Sequence, residues 1–82
     1  MRQHSISMTR HTDKGTIRYY KLELFSTLFG EFVVERVYGN AQFKAPTGVK
    51  KEFFDSFDDA VAMFENLLKQ KERRGYKNAR FR

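Results

Sequence analysis

The sequence predicts an α+β fold, an antiparallel sheet of three to five strands with one C-terminal helix packed on one face. Three observations predict it. Several short segments between Arg18 and Phe54 alternate apolar and polar residues, and one apolar stripe of helical period follows Ser56. All of this lies within 82 residues, a length that allows one domain, here residues 1–82 with a core over about 18–76. A domain of this size buries only about 60% of the surface its unfolded chain exposes, so the core needs large side chains. Nine Phe and four Tyr supply them.

The elements follow in chain order. His4, Ile6 and Met8 share one face of a weaker strand over Gln3–Arg10, and His11 to Thr16 reads as a loop. Arg18 to Phe25 alternates, with Tyr20, Leu22 and Leu24 on one face and Tyr19, Lys21, Glu23 and Phe25 on the other. Ser26 to Gly30 is a hairpin connection ending in the residue that best tolerates positive φ. Glu31 to Tyr38 alternates again, with Phe32, Val34, Arg36 and Tyr38 on one side. Gly39-Asn40 and Ala45-Pro46-Thr47-Gly48 are turn signals, and Ala41 to Lys44 between them either extends the strand or forms a loop. Val49 to Phe54 is the next strand. Ser56 then caps a helix over Phe57–Arg74, with Asp58 and Asp59 in its first turn, where negative charge meets exposed N–H groups. Phe57, Ala60, Val61, Phe64, Leu67 and Leu68 form its apolar stripe, and Gly75 supplies the stop. Residues 77–82 hold too little apolar material to fold alone and are expected to be a mobile basic tail.

Composition removes several classes of function. With no Cys there is no disulfide scaffold, thiolate zinc site or thiol nucleophile, and a reducing, cytoplasmic setting is expected. No apolar run approaches the roughly 18 residues of a membrane span, and Met1 to Ser5 lead into no signal core, so no membrane partner is expected. His4 and His11 lack metal-ligand spacing, the glycines form no phosphate loop, and Asp55, Asp58 and Asp59 are explained by the helix start. No catalytic residue, metal or cofactor is expected.

The charge has a location. Residues 1–68 hold nine basic and nine acidic residues, whereas residues 69–82 hold seven basic against Glu72 alone, so the whole +6 lies in the last fourteen. A neutral body with a basic end suggests an anionic partner, although cations near a helix C-terminus are also favoured by its dipole.

At this point the chain resembles the WGR domain, a small module of bacterial stand-alone proteins that also occurs in poly(ADP-ribose) polymerases. The resemblance rests on Arg18-Tyr19-Tyr20-Lys21-Leu22-Glu23-Leu24, Leu28-Phe29-Gly30 and Arg36-Val37-Tyr38-Gly39-Asn40. It continues through Phe53 to Phe57 into the helix and through Lys71-Glu72-Arg73-Arg74-Gly75-Tyr76 at its end. It implies a nucleic-acid-binding module recognising DNA ends, or structured nucleic acid more generally, with DNA favoured over RNA and without readout of base sequence. In the polymerases the family's Trp packs on the sugar at a DNA break and the Arg helps to hold the nucleic acid. Here the motif is Tyr38-Gly39-Asn40: Tyr38 keeps a flat aromatic face, while Asn40 lacks the charge and forked donors that suit phosphate. The 41–48 segment also looks longer than the family's usual turn.

The nucleic-acid contact is therefore expected at Tyr38 and Asn40 with Arg36, and with Lys44, Lys50 and Lys51 as a basic cluster around the Pro46–Gly48 turn. Arg73, Arg74 and Lys77 at the helix end form a second group, in which Tyr76 and Phe81 interleave with cations. Each has a plainer explanation: Tyr38 as a sheet aromatic, Lys50 and Lys51 as solvated edge-strand charges that discourage aggregation. The alternative function is a protein-interaction module that docks a partner through the sheet, with an apolar patch around Phe29, Phe32 and Phe43.

Overall fold

The computed structural model describes residues 2–78. Five strands form one antiparallel sheet: β1 (Arg2–His11), β2 (Ile17–Ser26), β3 (Phe32–Asn40), β4 (Gly48–Phe54) and β5 (Lys77–Asn78). The helix α1 (Phe57–Arg73) stands between β4 and β5 in the chain. Strand order is β4-β3-β2-β1-β5, so β1 to β4 form a meander and the chain crosses the sheet through α1 to reach the far edge.

Two-residue alternation decides which side chains α1 covers. The register aligns Ile6, Leu22, Arg36 and Lys50 in one row across β1 to β4, and Met8, Tyr20, Tyr38 and Gly48 in the next. These rows face α1. Met8, Tyr20, Leu22, Leu24 and Val34 are buried there against Ala60, Phe64 and Leu67, and Tyr76 closes the cluster from beyond the helix. The opposite face carries Tyr19, Lys21, Glu23 and Phe25 of β2 beside Gly39, Val37, Glu35 and Val33 of β3, and among the described residues no helix lies over it. Val33 is buried on that side nonetheless, in a row with Phe25 and Phe53.

Both ends of α1 form as the sequence indicates. The Ser56 hydroxyl accepts the Asp59 N–H at 3.3 Å. At the other end Gly75 has φ +98°, its N–H donates to the Glu72 carbonyl, and the Tyr76 N–H donates to the Lys71 carbonyl. That pair of bonds is a Schellman motif, which ends the helix and turns the following residue inward. Tyr76 is accordingly buried.

Two expectations need correction. The core does not begin at residue 18, because β1 is a full ten-residue strand that contributes Met8, wholly buried. The 77–82 tail is not free at its start: Lys77 pairs with Thr9 and Asn78 with Met8 as β5, held there because the helix stop delivers the chain to β1. The rest of that tail lies outside the described residues. Of the two readings open for Ala41 to Lys44 the loop is the one found, since the Phe43 N–H donates back to the Asn40 carbonyl and turns the chain off the strand.

Candidate functional site

Between α1 and the sheet, where the helix ends and β3 and β4 continue, lies a groove of about 220 Å³ lined by Tyr20, Arg36, Tyr38, Lys50 and Lys71. Strand alternation brings four of them to one face, and helical period supplies the fifth. Ala60, Phe64 and Leu67 are the buried stripe of α1, and position 71 continues it by one more turn.

Tyrosines form the floor of this groove. Tyr20 and Tyr38 are cross-strand partners whose rings are nearly parallel, with centroids 5.8 Å apart, and Tyr76 meets Tyr20 edge-on at 5.9 Å. The Tyr38 ring also lies against β4, because a Cβ on Gly48 would come within 2.5 Å of it. Cations then sit on these rings. Lys71 Nζ is 4.6 Å from the Tyr20 centroid and 5.9 Å from that of Tyr76, and the Arg10 guanidinium is 5.3 Å from the Tyr76 centroid.

Electrostatics follow from this crowding. Burial pushes the Lys71 ammonium below the ordinary lysine value, and Arg74, Arg36 and Arg10 push it further the same way. Burial raises the Tyr20 hydroxyl, against the pull of the adjacent Arg36 guanidinium. Arg36 is partly neutralised by an ion pair with Glu52, while its Nε is buried without a hydrogen-bond partner, as is that of Arg10. The net field is positive, and an anion entering the groove relieves the repulsion among these cations.

The expected site residues separate into groups. Arg36, Tyr38 and Lys50 share the groove. Asn40 does not join it: its side-chain oxygen accepts the Gln42 N–H at 2.9 Å and turns the chain. The cluster of Lys44, Lys50 and Lys51 does not form, because neighbours on a strand point to opposite faces. Lys51 projects from the uncovered face, 3.9 Å from the Glu35 carboxylate, and Lys44 lies in the loop on that same side. Arg73 is exposed, Arg74 is the helix C-cap whose carbonyl accepts from Arg10, and Lys77 is exposed on β5. The patch of Phe29, Phe32 and Phe43 does not form either. Phe32 packs on Phe57 under the helix, while Phe29 and Phe43 flank opposite ends of the nine-residue β3.

A family model described as the WGR domain matches residues 5–82 of this chain. The chain belongs to the WGR family. WGR domains are a nucleic-acid-binding type of module. The match includes β1, so this WGR domain is longer at its N-terminal side than the sequence resemblance alone indicated. The chain is also similar to the uncharacterized protein y4dW of Sinorhizobium fredii (strain NBRC 101917 / NGR234), at 37% identity over 64 residues. That stretch is 78% of this chain but 30% of the relative, so the WGR domain spans less than a third of the longer protein it matches. No solved structure matches the chain. Among the described residues no helix is long and apolar enough to cross a membrane, and no group of three or more His, Asp or Glu is placed to hold a metal ion.

Sequence reasoning missed Tyr20 and Lys71 as members of this groove, and Arg10 on the Tyr76 ring beside it. Tyr20 carried a usable signal, since the alternation that pairs it with Tyr38 puts both on one face. Lys71 carried one as well, a cation on the apolar stripe of α1.

Proposed function

We propose that this WGR domain is a non-catalytic binding module whose helix-side groove takes the sugar-phosphate backbone of nucleic acid at a duplex end. DNA is preferred to RNA, and base sequence is not read. The observation that carries the reading is the meeting of Lys50, Lys71 and Arg36 with the Tyr20–Tyr38 pair in one groove. Lysines there offer point charges to phosphate, and tyrosine rings offer flat apolar surface to a sugar. Contacts of this kind position nucleic acid without sequence information. The resemblance to the polymerase modules, in which the aromatic of the naming motif packs on the sugar at a break, supports the preference for DNA ends and for Tyr38 at the contact. Asn40 makes a turn instead of a phosphate contact, so the role of the family's Arg passes to Lys50 and Lys71.

Fluorescence anisotropy of a labelled 5′-phosphorylated duplex tests this directly. Lys71→Gln removes one charge-assisted contact, and its loss of about 1.5–3 kcal/mol is expected to weaken binding by roughly tenfold or more. Tyr38→Ala is expected to weaken it by about 1–3 kcal/mol, the range for an aromatic stacking platform. Duplex affinity equal in wild type and in both variants would remove the groove from the contact. An RNA duplex bound as tightly as the DNA duplex would remove the preference for DNA.

A further inference from the structure

We propose that the uncovered face of the sheet carries a second nucleic-acid site, one that takes an unpaired single strand. It lies back to back with the helix-side groove, because Tyr19 alternates with Tyr20 and Val37 with Tyr38. A shallow groove of about 450 Å³ runs there between β2, β3 and the 41–47 loop, lined by Tyr19, Lys21, Val37, Phe43, Lys44 and Pro46.

Phe43 is the decisive residue. It is 62% exposed, yet it is held in place rather than loose. Its own N–H donates to the Asn40 carbonyl at 3.0 Å, the Gln42 N–H to the Asn40 side chain, and the loop ends are tied by Ala41 to Ile17 and Thr47 to Tyr38. Set beside the groove, its ring offers a flat apolar face on which a base can stack. Tyr19 forms the floor: a Cβ on Gly39 would come 3.0 Å from its hydroxyl, so the ring lies over β3 instead of standing clear.

Charge selects the occupant. Lys21 and Lys44 are the ionic groups lining the groove, and none of the lining residues is acidic. The neighbouring carboxylates are engaged, Glu35 with Lys51 and Glu23 with the Ser5 hydroxyl. Flat aromatic surface flanked by lysines that form no ion pair among the described residues matches bases alternating with phosphates. A stacked duplex hides its base faces, so only an unpaired strand can lay a base on Phe43 or Tyr19 while its phosphates reach Lys21 and Lys44.

The chain contains no Trp, so Phe43→Trp places a single emitter on the proposed platform while keeping an aromatic there. Titration of that variant with oligo-dT and oligo-U of roughly twelve nucleotides, within the usual site sizes of such surfaces, is expected to quench its emission. In parallel, Phe43→Ala combined with Lys44→Gln is expected to lower oligo-dT affinity by roughly tenfold or more while leaving duplex-end affinity unchanged. Lys71→Gln is expected to do the reverse, and circular dichroism checks that each variant keeps its fold. Oligo-dT and oligo-U affinity untouched by the double variant, or absence of quenching by either oligonucleotide, overturns the proposal. Quenching by an acidic polypeptide but by neither oligonucleotide overturns it in favour of a protein partner. Phe43-dependent binding of single strands with no duplex-end binding would sustain this site and sink the helix-side reading.

Discussion

Lys71 shows how one residue links burial to function. It is the cation at the end of an apolar stripe, seated on Tyr20 and Tyr76 and surrounded by Arg10, Arg36 and Arg74. Burial and those three charges all lower its pKa from 10.5, so the unbound domain holds this proton less firmly than an ordinary lysine does. A phosphate in the groove reverses the balance, since a nearby anion favours the ammonium. The bound state therefore carries more protons than the free state in the window between the lowered value and 10.5. Linkage sets the sign: affinity is full below that window and falls as pH rises through it. Binding isotherms at rising pH are expected to show that decline, and Lys71→Arg, which stays charged throughout, is expected to flatten it. The same decline in Lys71→Arg would assign the titration to another group. Tyr20 is shifted in the other direction: burial raises its hydroxyl above the ordinary 10.0 although Arg36 opposes, so it holds its proton more firmly than an ordinary tyrosine does.

Among the elements, the end of α1 does more than stop a helix. Gly75 at φ +98° completes the Schellman motif, and from there Tyr76 turns into the core and Lys77 and Asn78 pair with β1. Gly75→Ala places a Cβ where the left-handed region penalises it by about 1–2 kcal/mol. A lower midpoint in thermal unfolding is expected, together with weaker duplex binding, because Tyr76 and Lys71 depend on that turn; an unchanged midpoint would show that the stop needs no glycine. The sequence made this helix and β2 to β4 legible for a physical reason. Each must bury one face and wet the other, so period 3.6 or period 2 is written into its residues. β1 was fainter because His4 and Arg10 share the helix-side face with Ile6 and Met8, which leaves two apolar residues as its signal. β5 was illegible, since two residues carry no period and are held by where the helix stop sends them. The site divides in the same way. Arg36, Tyr38 and Lys50 were readable as sheet residues, but bringing Lys71 to them needed the chain crossing from β4 to β5. Lys44 and Lys51 were misplaced because nearness in sequence was taken for nearness in space, which alternation forbids.

For the whole molecule the question is how much of the +6 net charge a bound duplex can use. Sixteen basic residues suggest a steep response to salt, but the structure disposes them otherwise. Arg36 is tied to Glu52 and Lys51 faces Glu35, while Lys21 and Lys44 lie on the far face from the groove. Two lysines without an ion pair among the described residues, Lys50 and Lys71, line the groove, with Arg10 and Arg74 behind Lys71. Each phosphate neutralised on duplex DNA contributes a slope of about −0.9 in log affinity against log salt. A helix-side site that makes two or three such contacts therefore predicts a slope of roughly −2 to −3, measurable by anisotropy across a salt series. Lys50→Gln is expected to reduce that slope by about one, with proportionally weaker binding to every duplex sequence. A slope steeper than about −5 exceeds what the groove can supply. The excess would then belong to the basic C-terminal residues around Arg73 and Lys77, and Lys77→Gln, not Lys50→Gln, would be the substitution that flattens it.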